Sequence, residues 1–219
     1  LFNDPDEAEL DFMEQVDRPT QPARARRLVS NDLRLPQFMQ TAQKVAPTQL
    51  GTAVHLVLQK ISLKTKPTAA GIARLIEQLV TKGLLEKRIA VKIDQQRILN
   101  FFDSSLGKEL LLHPQQVQRE VPFSLLLPAK QIFPQVAGSQ ADILVHGIID
   151  GFLATDREVL LFDYKTDFVL PDNQAKIRVI CDRYRGQLNL YAQALNKILQ
   201  RPITHRYLYL LSASKLIEV

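Results

Sequence analysis

From Thr48 onward the apolar positions fall on a helical repeat. Leu50, Val54, Leu58 and Ile61 recur at 3.6-residue spacing, with Thr48 behind Pro47 expected as the N-cap. A second helix is predicted through Ile72, Leu75, Ile76, Leu79 and Val80, stopping near Gly83, and a third from Ile93 to Phe102. At Val117 the texture changes: Val117 to Phe123, Ile143 to Ala154 and Val159 to Lys165 are rich in branched and aromatic residues and read as neighbouring strands. Pro122 marks the first of these as an edge or a bulge. A long helix is predicted from Gln174 to Leu199, ended by Arg201-Pro202, before a last strand from Tyr207 to Leu211. The order of helices, three strands, a long helix and a strand predicts an α/β layered fold with a mixed, partly antiparallel sheet flanked by helices and preceded by a helical region. Residues 1–47 carry Pro5, Pro19, Pro22, Pro36 and Pro47 and a basic group at Arg24, Arg26 and Arg27, and read as an arm or linker ahead of a domain over 48–219.

Composition narrows the class. The chain has 219 residues, 46% hydrophobic and 23% charged, which excludes disorder or low complexity as its main content. Lys and Arg number 28 against 23 Asp and Glu, a net charge of +5, so the chain is basic without being a polycationic tail. The single cysteine, Cys181, excludes a disulfide framework, a Cys-rich zinc module and a four-cysteine iron–sulfur cluster built within this chain, and suits a reducing compartment. No apolar run approaches the ~20 residues needed to cross a bilayer. The acidic opening from Leu1 to Asp6 is unlike a signal peptide, so a soluble intracellular protein is expected. A leucine at position 1 suggests a piece of a longer polypeptide. No Gly-x-x-x-x-Gly-Lys phosphate loop is present, so no ATP site is expected in it.

The candidate chemistry lies in one hairpin. If the chain turns about Asp156 and Arg157, register brings Asp150 opposite Asp163, with Cβ atoms roughly 4.5–5.5 Å apart. Alternation puts Asp163 and Lys165 on one face and Tyr164 on the other. Two facing carboxylates on an apolar surface repel each other, and a hard cation such as Mg²⁺ relieves both the repulsion and the desolvation cost. Lys165 then stabilises charge on a phosphate oxygen or orients a water. The alternative is a cross-sheet salt bridge.

At this point the sequence resembles the PD-(D/E)XK nucleases, and specifically the nuclease domain of bacterial helicase–nuclease subunits of the AddA, RexA and RecB type. The matching blocks are Gly51-Thr52-Ala53-Val54-His55, Arg119-Glu120-Val121-Pro122-Phe123, Gly147-Ile148-Ile149-Asp150-Gly151, Asp163-Tyr164-Lys165-Thr166-Asp167 and Tyr184-Arg185-Gly186-Gln187-Leu188-Asn189-Leu190-Tyr191, in the family's order over about residues 48 to 212. Two positions depart from the pattern: Ile149 stands where proline precedes the first aspartate, and the second acid is Asp163 where glutamate is an alternative. The resemblance implies a restriction-endonuclease-like core and a metal-dependent deoxyribonuclease. Asp150, Asp163 and Lys165 would be its catalytic residues, and His55, Asp150, Asp163 and the main-chain carbonyl of Tyr164 the ligands of Mg²⁺, with Mn²⁺ a possible substitute. Lacking the cysteines of the AddB-type iron–sulfur cluster, the chain falls on the AddA/RexA side. The implied partners are DNA, the helicase portion of the same polypeptide and a partner of the AddB/RexB type, in an exonuclease that processes double-strand breaks for recombination in the bacterial cytoplasm, with no membrane.

Other residues keep two readings. His55 is a packing or surface histidine unless the family's Gly-x-x-x-His motif makes it a ligand. Glu120 is an accessory acid beside the metal or an edge-strand charge. Gln187 and Tyr191 share a helix face that meets the DNA strand or packs on the sheet. Arg185, with Lys176, Arg178 and Arg183, tracks a phosphate backbone or forms a solvated face. Two other functions compete with a nuclease: a catalytically silent DNA-binding or assembly module, and a hydrolase of small phosphate esters.

Overall fold

The computed structural model describes residues 45–129 and 140–219. The expected arm over 1–47 lies outside the described residues apart from its last three, and so does the basic group at Arg24, Arg26 and Arg27. Helices α1 (Pro47–Lys60), α2 (Ala69–Thr81), α3 (Lys87–Ala90), α4 (Gln95–Asp103) and α5 (Ser105–Leu112) come first. Strands β1 (Val117–Pro128), β2 (Asp142–Ala154) and β3 (Val159–Lys165) follow, then α6 (Gln174–Leu199), β4 (His205–Leu210) and β5 (Lys215–Glu218).

Capping chemistry explains where the expected helices shift. At α1 the cap position is Ala46, and Pro47 is the first helical residue, where its missing N–H is harmless. The Gln49 side chain accepts from the Ala46 N–H at 3.1 Å, so Thr48 is not the cap. The single helix expected from Ile93 to Phe102 is replaced by three short ones. Asp94 starts α4 by accepting from the Gln96 and Arg97 N–H groups, and Ser104 ends α4 and caps α5 by accepting from Gly107. The long helix α6 has the expected bounds, started by the Asn173 side chain. β5 was not expected; it is four residues long and pairs back on β4 after the Leu211–Ser214 turn.

The sheet order is β1-β2-β3-β4-β5. β3 and β4 are parallel, joined through α6, and the other neighbours are antiparallel. All seven residues of β3 are buried, as befits a strand covered on both faces. Leu160, Phe162, Tyr164, Leu153 and Tyr209 join the core under α1 to α5. Val159, Leu161, Phe152, Leu208 and Leu210 join the core under α6. No helix among the described residues is long and apolar enough to cross a membrane.

One irregularity matters for the site. Val117 packs towards α1 to α5 but Val121 and Phe123 pack towards α6, and in β2 Leu153 faces the first core and Ile149 the second. The two strands therefore exchange faces between these positions, at Glu120 and Asp150. Glu120 makes the exchange with a φ of 54°, a left-handed conformation that costs a non-glycine residue about 1 kcal/mol or more. Past it, β1 and β2 run on as a two-stranded ribbon, because β2 pairs with β3 only from Gly151 to Ala154. Pro122 sits in this ribbon on the edge strand, where its missing donor leaves no gap in the sheet.

Candidate metal centre

The hairpin register is the one expected: Gly151 pairs with Phe162 and Ala154 with Val159. The backbone ladder stops at Gly151, one row before Asp150 and Asp163 would pair. In place of a main-chain carbonyl, Asp150 Oδ2 accepts the Tyr164 N–H at 2.7 Å. On the other side of β2, Arg119 pairs with Gly151 and Val121 with Ile149, so Glu120 occupies the same row as Asp150. Glu120, Asp150 and Asp163 thus stand abreast on three neighbouring strands, where those strands part. Gly151 is required here, since a Cβ would lie 2.3 Å from the Phe162 ring.

Helix α1 brings His55 to this row. Its Nδ1 lies 3.4 Å from Asp150 Oδ1, and single ligand atoms of His55, Glu120 and Asp150 all lie within 4.8 Å of one another. Gly51, one turn earlier, permits the approach: a Cβ there would stand 3.0 Å from the Thr166 hydroxyl just beyond β3. Arg119 fixes the other end of the helix. Its Nη1 donates to the carbonyls of Leu58 at 2.6 Å and Ile61 at 2.9 Å, groups that the end of a helix leaves without N–H partners. One guanidinium therefore ties α1, which carries His55, to the residue before Glu120.

The charges respond to this crowding. Burial pushes His55 down, but the charge and hydrogen bond of Asp150, with Asp163 behind it, outweigh that and hold its pKa up at about 9. Burial and the neighbouring Asp150 push the Glu120 carboxyl above its ordinary value, against the pull of His55 and Lys60. Burial also drives Asp163 well above the usual carboxylate range, with Lys165 opposing and Asp150 adding to the rise. In the metal-free protein a protonated His55 supplies positive charge that the row of carboxylates demands.

Asp163 is 1% exposed, and its Oδ2 accepts no hydrogen bond among the described residues, although Lys165 Nζ lies 3.3 Å away. The Lys165 ammonium sits 4.0 Å above the centre of the Tyr184 ring, and the Tyr184 hydroxyl donates to Asp167 at 3.2 Å. A buried carboxylate oxygen in want of a partner, beside two further carboxylates and an imidazole, is a donor set that fits a hard divalent cation.

Helix α6 corrects part of the expectation. The Tyr191 ring is 7% exposed and packs edge-on against Phe123 at 5.5 Å, so it presents no free face for a base to stack on. Its hydroxyl accepts from Gln187 Nε2 at 2.7 Å, and Gln187 Oε1 is buried without a hydrogen bond among the described residues. Tyr184 and Leu188 are core residues. Arg185 is exposed and pairs with Asp182 at 3.2 Å, away from the carboxylate row, while Arg183 reaches Asp167 at 3.5 Å. Arg119, Tyr184 and Asp167 are site residues that sequence reasoning did not single out. All three stand inside the quoted blocks, but their roles depend on contacts between elements that no spacing reveals.

The chain matches the family described as the PD-(D/E)XK nuclease superfamily over residues 25–217. It is 46% identical over 220 residues to the A subunit of an ATP-dependent helicase/nuclease from Pediococcus pentosaceus, covering all of this chain and 18% of that protein. The protein of that name from Enterococcus faecalis is 38% identical over 225 residues, again across the whole chain and 18% of the relative. That from Limosilactobacillus fermentum is 40% identical over 192 residues, 84% of this chain and 14% of the relative. The chain spans less than a fifth of the length of these curated relatives. Sheet, acidic row and buried lysine agree with this match over most of the sequence, and the chain belongs to the PD-(D/E)XK nuclease superfamily.

Proposed function

We propose that this chain is the nuclease domain of a larger helicase–nuclease polypeptide and hydrolyses DNA phosphodiester bonds with Mg²⁺, for which Mn²⁺ substitutes. The observation that carries the reading is the row of Glu120, Asp150 and Asp163 with His55 on one side and Lys165 on the other. His55, Asp150, Asp163 and the main-chain carbonyl of Tyr164 hold the cation, and Glu120 offers a further carboxylate beside it. When bound, such a cation lowers the pKa of water and neutralises charge on the phosphoryl group.

The remaining work belongs to the chain itself. Lys165 is nearly buried between Asp163 and the Tyr184 ring, so its ammonium is held in one direction and meets charge that develops on the phosphate without reorganisation. Asp167, through the Tyr184 hydroxyl, keeps that ring in place. The Asp150 hydrogen bond to the Tyr164 N–H fixes the main chain between Asp163 and Lys165. Gln187, and more remotely Arg185, lie along α6 on the side from which a DNA strand is met.

The names of the relatives support a larger setting: an arm over 1–47, the nuclease domain over 48–219, a helicase portion of the same polypeptide, an AddB/RexB-type partner, and exonucleolytic processing of broken DNA in the bacterial cytoplasm. The test is end-labelled single- and double-stranded DNA with Mg²⁺, with EDTA, and with Lys165→Ala protein. Cleavage lost in both controls supports the reading. DNA bound but left intact in Mg²⁺ and in Mn²⁺ contradicts it, and favours a silent module of the same fold.

A further inference from the structure

We propose that the two contiguous clefts along α2 form a track for the phosphodiester backbone of the strand being cut, on the side of the site reached through Lys60. The inference rests on the nuclease reading. The larger cleft, of about 450 Å³, lies between the end of α1 and the flank of α2. Lys60, Lys66 and Arg74 line it, together with the hydroxyls of Ser62, Thr65 and Thr68, and no acidic residue is among those that line it. A second cleft of about 350 Å³ shares Arg74 and Gln78 with the first and adds Lys82 and a single acid, Glu77. Four cations and one acid therefore edge one continuous depression.

The depression begins at the metal centre. Lys60 is five residues beyond His55 on α1, and its charge is felt at Glu120. The carbonyl of Ile61, which also lines the cleft, is held by Arg119, the residue before Glu120. A strand leaving the acidic row in this direction meets Lys60 first.

The form of the ligand follows from the spacing of the cations. Arg74 and Lys82 are eight residues apart on one helix, about 12 Å along its axis, with Lys60 and Lys66 beyond the first turn. A single phosphate or carboxylate needs donors that converge on one point, and these do not converge. A polymer with charge repeated along its length matches them, as cationic grooves match single-stranded nucleic acid. Lys66 contributes least, because it already pairs with Asp103 at 2.5 Å.

The test compares the 219-residue chain with a triple variant, Lys60→Gln/Arg74→Gln/Lys82→Gln, and with a control of equal net charge, Lys92→Gln/Lys108→Gln/Arg157→Gln. All six residues are exposed, and a thermal melt checks that both variants fold. Binding of a labelled single strand is followed against salt in EDTA. Each phosphate contact on a single strand contributes about 0.7 to the slope of log K against log salt, so the track variant loses roughly 2 from that slope and binds at least about tenfold more weakly at low salt, while the control does not. Equal losses in both variants, or none in either, overturn the track. Competition by polyglutamate as effective as by DNA, at equal charge, points to an acidic protein partner and overturns it too. In parallel, wild-type and Lys165→Ala protein are tested on a small thymidine phosphodiester with Mn²⁺. Cleavage there with an unchanged salt slope removes the track and leaves the nuclease; no cleavage with a reduced slope does the reverse.

Discussion

Two adjacent sets of residues on the α6 face of the same strands obey opposite rules. One set is Phe152 and Leu161, which pair across β2 and β3 and are buried in the α6 core. One step along that face, Asp150 and Asp163 stand where continued pairing would set them opposite each other, with Glu120 in the same row on β1. The apolar pair stabilises the fold by about 1.5–3 kcal/mol for each large side chain removed from water. The acidic row does the reverse: it gathers carboxylates where burial raises two of them above their ordinary range, and adds a left-handed glutamate. A sequence that keeps such a row against its local cost does so for what the row binds.

Substitutions on either side of this boundary should separate activity from stability. The largest effect is expected from Asp163→Asn: cleavage falls by about 10³-fold or more, while the metal-free protein melts no lower than wild type, because a buried charge is replaced by a neutral side chain of equal shape. A cleavage assay and a thermal melt on the same preparation check both halves. Leu161→Ala should do the opposite, lowering stability by about 2–5 kcal/mol in denaturant titration through transfer and cavity terms, with metal affinity retained in the fraction that stays folded.

Next comes pH. Both His55, raised from 6.5 to about 9, and Asp163, raised above 3.8, hold their protons more tightly in the folded than in the unfolded chain. Metal-free stability from these groups is therefore present at low pH and is lost as pH rises, first above about 4 for Asp163 and then between 6.5 and about 9 for His55. Melting in EDTA should fall from pH 5 to 9, and added Mn²⁺ should raise it more at pH 8 than at pH 5. A metal-free melting point that climbs over that range breaks the assignment of these two groups. The smallest effect is expected at Arg119, which touches neither acid but sets the distance between α1 and β1. Arg119→Gln should weaken Mn²⁺ binding by about tenfold, as loss of a supporting contact does at other metal sites, with Arg119→Lys recovering part of it. A thermal shift without any change in Mn²⁺ affinity would mean that the contact serves the fold alone.

Much of this was legible from local rules. Alternation and turn length gave the Asp150/Asp163 register, because a hairpin has one free parameter and its apolar pattern sets it. The bounds of β3 and α6 were equally plain, since one is apolar throughout and the other is long and strongly periodic. Asp94 and Ser104 divide what sequence presents as one helix, and are ordinary polar residues until a backbone N–H is seen to need them. In sequence Tyr191 reads equally well as a surface contact, because its place opposite Phe123 depends on how the β1–β2 ribbon bends over α6, which no helical spacing encodes. Arg119 and Tyr184 were invisible for the same reason: one closes the end of a helix about 60 residues away, and the other lies under a lysine from another element.

The most direct measurement is anomalous diffraction from crystals soaked in Mn²⁺, paired with calorimetric titration of wild-type and Asp150→Asn protein. One strong peak bounded by His55, Asp150 and Asp163, with binding lost in the variant, is the expected result. A peak elsewhere, or Mn²⁺ bound as tightly by Asp150→Asn as by wild type, contradicts the claim that this row of carboxylates exists to hold a cation.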